Sequence, residues 1–80
     1  MMLTEDGYHW RIVSSDSVTN HDSGAVSSMK LYRCLEHPRV SRVVQRANVD
    51  EPWCETFHLV GLPQIWHTAG DAMAALRANP

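Results

Sequence analysis

Pro38-Arg39-Val40-Ser41-Arg42-Val43-Val44-Gln45-Arg46-Ala47 decides the fold, because it reads two ways. Val40, Val43, Val44 and Ala47 recur at helical spacing, Arg39, Arg42 and Arg46 would share the opposite face, and Pro38 suits a first helical position. Against a helix stand three β-branched valines and the turn chemistry on both sides, His37-Pro38 before and Asn48-Val49-Asp50-Glu51-Pro52 after. Turns that close bring a chain back antiparallel, so the segment is expected to be a strand in a meander, with a second helix at about 38–47 as the alternative.

Outward from this segment the apolar period is mostly two. Tyr8, Trp10 and Ile12 alternate with His9 and Arg11, which predicts a half-buried strand. Met29, Leu31 and Leu35 alternate with Tyr32 and Cys34, and Arg33 interrupts the first set, so both faces of that strand are expected to be partly covered. Trp53-Cys54-Glu55-Thr56-Phe57-His58-Leu59-Val60 predicts a third clear strand with Trp53, Phe57 and Leu59 on its core side. Residues 14–24, rich in Ser, Asn and Asp, read as a long exposed loop. The period changes at the C-terminus, where Ala69, Ala72, Met73 and Leu76 form a helical stripe. Thr68 with Asp71 three residues later is a start signal, and Arg77 and Asn79 mark the end. The expected fold class is therefore α+β: one domain over residues 1–80, a small three- or four-stranded, mainly antiparallel sheet with the C-terminal helix on one face.

Eighty residues with 44% apolar and 20% charged side chains suit a folded domain with one small core. That length leaves little room for a large enclosed pocket. The N-terminal residues lack a basic start and an apolar run, and no stretch is long enough to span a membrane, so a cytoplasmic location without membrane association is expected. Two cysteines, Cys34 and Cys54, are too few for a disulfide scaffold and read as free, buried thiols.

Cys34 with His37 and Cys54 with His58 together offer four soft metal ligands. On a strand, however, Cys54 and His58 stand about 13 Å apart at roughly 3.3 Å per residue, too far to share one ion. His21, Asp22 and Ser23 are consecutive in a polar segment, no nucleophile elbow occurs, and the four isolated glycines make neither a phosphate loop nor a dinucleotide fingerprint. No catalytic set, metal or cofactor is expected, and the chain reads as a non-enzymatic protein.

The net charge of -2 is distributed in blocks. Residues 29–46 carry Lys30, Arg33, Arg39, Arg42 and Arg46 against Glu36, while the segments on either side are acidic, with Glu5, Asp6, Asp16 and Asp22 in the first and Asp50, Glu51, Glu55 and Asp71 in the last. Such blocks either match one another across neighbouring strands or leave a polarised surface. Three tryptophans are many for this length; Trp10 and Trp53 are expected in the core, and Trp66, in the Gly61-to-Thr68 connection, either lids the core under the helix or serves as an exposed anchor. Tryptophan and arginine are favoured interface anchors. The leading expectation is thus a protein-interaction module, with Trp66, Tyr32, Arg39, Arg42 and Arg46 as contact residues. Asp16, Asp22, Asp50 and Glu51 would compete for the basic groove of a nucleic-acid-handling partner. In size and plainness the chain resembles the small inhibitor proteins of phages and mobile elements, anti-CRISPR proteins among them; no motif carries that likeness. The alternative is a small nucleic-acid-binding domain using the Arg39, Arg42 and Arg46 row, and sheet edges also make a homodimer an expectation.

Overall fold

In a computed structural model describing Met2–Pro80, the deciding segment is a strand. It is β4 (Val40–Arg46) of a six-stranded antiparallel meander whose other strands are β1 (Met2–Glu5), β2 (Tyr8–Thr19), β3 (Val26–Cys34), β5 (Cys54–Leu59) and β6 (Ile65–Trp66). The spatial order follows the chain, and a single helix, α1 (Ala69–Ala78), packs against β4, β5 and β6. The chain is thus α+β, with more strands than the three or four expected.

Three differences account for the larger sheet. First, β1 pairs with the start of β2 through the two-residue turn Asp6-Gly7, whose φ angles of 54° and 79° are those of a tight hairpin turn. Second, the stretch expected as a loop is mostly strand: Ser14–Thr19 pairs residue by residue with Val26–Leu31, and only residues 20–25 turn. Every side chain from Val13 to Thr19 is exposed, so ladder hydrogen bonds rather than burial fix this arm, which explains its polar sequence. A bulge between Ile12 and Ser14 resets the alternation there. Third, Ile65 and Trp66 add a short edge strand to β5.

The core lies between the helix and one face of the sheet, here the inner face. Trp10, Cys34, Val40, Phe57 and Leu59 from the strands meet Ala69, Ala72 and Met73 from the helix. Two alanines on the buried stripe let the helix sit close, while Trp10 and Phe57, with ring centroids 5.7 Å apart, fill the space beside it. The Trp10 indole N–H donates to the Glu5 carbonyl (3.1 Å), which satisfies its one polar atom. Thr68 caps the helix by accepting from the Asp71 N–H (3.1 Å). On β3 the core side is that of Cys34 and Tyr32, Leu31 on the other face is half-buried, and Leu35, beyond the end of the strand, is exposed. The outer face carries no second layer among the described residues. No helix there is long and apolar enough to cross a membrane.

Candidate functional site

Trp53 is not in the core as expected, and Trp66 takes the lidding position rather than that of an exposed anchor. Trp66, opposite Phe57 on β6, is half-buried against the core, whereas Trp53 precedes β5 beyond the reach of the helix and is 39% exposed. Two cations hold the Trp53 ring: Arg46 lies 4.3 Å and Lys30 5.3 Å from its centroid. Arg46 also donates through Nη1 to the Val49 carbonyl (3.1 Å), which ties the β4–β5 loop to the strand that precedes it.

That loop is joined to the tip of the β2–β3 hairpin. Asn48 Oδ1 accepts from the backbone N–H groups of Val26 (3.1 Å) and Val49 (2.9 Å), and Ser27 Oγ donates to the Ala47 carbonyl (3.2 Å). The tip is closed by Asn20, whose side chain accepts from the N–H groups of Asp22 and Ser23. One end of the domain, the distal end, therefore gathers Trp53, Lys30 and Arg46 with four acids far apart in sequence. Asp22 is in the hairpin tip and Asp50 and Glu51 are in the loop. Asp16 lines the same open groove of about 660 Å³ as Glu51. All four acids are exposed, and none makes an ion pair among the described residues.

The three arginines expected as a row do not form one. Arg42 is buried on the inner face, where Nη2 binds Glu5 (2.5 Å) and Glu55 (2.6 Å) and the guanidinium lies 5.6 Å from the Tyr32 ring centroid. Glu5 reaches it from a strand three positions away, so the sheet curls strongly. Arg39 Nη1 donates to the Asn79 carbonyl (2.6 Å) and fastens the end of the helix to the sheet. Only Arg46 is at the distal end. A strand puts residues 39 and 42 on opposite faces, and that parity separates the row. Tyr32 and Trp66 are likewise core neighbours rather than parts of the distal surface.

Both cysteines are free; Cys34 is buried, and Cys54 is exposed on the outer face rather than buried as expected. Burial pushes the Cys34 thiol above its ordinary pKa, and its sulfur lies 3.6 Å from Glu36 Oε1. No group of three or more His, Cys, Asp or Glu side chains is placed to hold a metal ion among the described residues.

Fold and site together define a small α+β meander domain whose chemistry is on its surface: a cation-held tryptophan with an acidic rim. Set against protein-family models, curated proteins and solved structures, the chain matches none of them.

Proposed function

We propose that the protein is a non-enzymatic binding module that occupies the surface of a protein partner with its distal end. The observation that carries this reading is Trp53, a large aromatic side chain left substantially exposed and pre-positioned by Arg46 and Lys30. Such an anchor loses little conformational freedom on binding, and tryptophan and arginine dominate the energetics of many interfaces. Asp16, Asp22, Asp50 and Glu51 outnumber the two cations beside the ring, so this end complements a basic surface, such as the groove of a nucleic-acid-handling complex. Inhibition by occupying that groove, in the manner of small phage and mobile-element proteins, is the biological role this charge pattern favours.

A second reading has one observation of its own. Lys30, Arg46 and Trp53 also form the aromatic and basic pairing that stacks a base and contacts phosphate, and they replace the arginine row as its candidate residues. Affinity capture from host extract, run beside RNA and DNA columns at physiological salt, separates the two. The protein reading expects a specific partner that W53A and the D22N/D50N/E51Q variant fail to retain. Retention on nucleic acid alone, lost in W53A and strengthened by removing the acids, would replace it with the second reading.

A further inference from the structure

The outer face of the sheet presents three parallel rows of side chains that run across β2, β3, β4 and β5. The central row is Ser14, Leu31, Val43 and Thr56. Two residues along β3, β4 and β5 in one direction, and three along β2 because of its bulge, stands the row Arg11, Arg33, Ser41 and His58; a step of two residues in the other direction gives Asp16, Met29, Gln45 and Cys54. The face thus has Leu31 and Val43 at its centre, the two arginines Arg11 and Arg33 on one side and the single carboxylate of Asp16 on the other. Met29 in the Asp16 row is 39% exposed, and Val18 beyond it 66%. Arg11 and Arg33 are directly opposed like charges, a destabilising arrangement in an isolated sheet, and neither has a carboxylate partner among the described residues. Asp16 has no cation.

We propose that this face binds a second copy of the chain, forming a β-sandwich dimer about a twofold axis that runs along the Leu31–Val43 row. That axis reverses the strand direction of the partner while keeping each strand over its own counterpart. Leu31 then faces Leu31 of the second copy and Val43 faces Val43, Arg33 lies over Met29, and His58 lies over Cys54. Arg11 of each copy meets Asp16 of the other, which happens twice per dimer and relieves the Arg11–Arg33 opposition at both ends. Sheets packed in this way lie about 10 Å apart with strand directions within about 30°, so long side chains such as arginine span the offset. A twofold interface requires a self-complementary patch, and Arg11 and Asp16 on opposite sides of the Leu31–Val43 row provide one. Trp53 is held by Lys30 and Arg46 on the inner face, so the dimer would leave both tryptophan anchors free while taking up Asp16 of each acidic rim.

Charge reversal tests the axis itself. Sedimentation of the wild-type protein at tens of micromolar should give twice the 9.0 kDa chain mass. R11D alone and D16R alone each create two like-charge contacts and should weaken self-association by about tenfold or more. The double variant R11D/D16R restores both contacts and should dimerise again. An equimolar mixture of R11D with D16R should form heterodimers, because every cross-copy pair is then of opposite sign. That recovery also shows that both single variants remain folded. A monomeric wild-type protein, or a dimer unaffected by either single reversal, would overturn the proposal, the second by assigning the contact to an edge strand or another face.

Discussion

Replacing Arg42 tests how the curled sheet is held closed. Its side chain is 7% exposed, and its Nη2 binds Glu5 and Glu55, whose side chains are 46% and 32% exposed. The carboxylates can rehydrate, so each pair falls between the surface value of up to about 1 kcal/mol and the larger cost of breaking a buried pair. R42A also removes two buried methylenes beyond Cβ, at about 0.8 kcal/mol each, and the contact with the Tyr32 ring. It leaves two carboxylates facing each other as well. Together these give a loss of about 3 kcal/mol, or roughly 15 °C in melting temperature for a domain of this size. R42M keeps most of the stem and should lose about half as much, because buried ion pairs are often replaceable by apolar packing. Urea unfolding followed by circular dichroism measures both. A loss under about 1 kcal/mol for R42A would place Arg42 among ordinary surface charges and refute a structural role for the Glu5–Arg42–Glu55 cluster.

Two further outcomes follow from particular groups. The His9 imidazole Nδ1–H (2.6 Å) and then the His9 backbone N–H (2.9 Å) donate to Glu36 and hold its carboxyl down to about 2, below its ordinary value of 4.5. A depressed carboxyl pKa contributes stability above the unfolded-state value that is lost as pH falls through the folded one. Wild-type stability should therefore fall between about pH 4.5 and about 2 more steeply than that of E36Q, and equal acid limbs in urea titrations would contradict this. In thiol labelling of the native protein, Cys54 should react promptly and buried Cys34 only on unfolding; two equally fast thiols would show that the core around Cys34 opens.

What the sequence made legible was the chemistry decided locally. The helix is set by Thr68, Asp71 and the Ala69, Ala72 and Met73 stripe, all within one short segment, and its observed bounds agree with that reading. The strand at Val40–Arg46 follows from β-branching and the turns beside it. The missing strands had weaker or differently placed signals. The turn residues Asp6-Gly7 announce a hairpin, but β1 contributes only Leu3 to the core neighbourhood, so no apolar alternation marks it. Ser14–Thr19 is polar because neither face of that arm is covered, and a strand held by its ladder alone looks like a loop in composition. The exposure of Trp53 depends on where the helix ends over the sheet, which no local pattern states. The Arg42 cluster joins β1, β4 and β5 and needs the curl of the whole sheet. The four acids were recognised as surface groups, but their meeting at one end depends on the long-range bond from Val26 to Asn48.

Binding through the distal end is tested most directly by titrating the captured partner with wild-type protein and with W53A in a calorimeter. As a central anchor, Trp53 should cost at least about 2 kcal/mol on truncation, roughly a thirtyfold loss of affinity, with W53A still folded by circular dichroism. Equal affinities for the two proteins would contradict the assignment of this end as the binding surface.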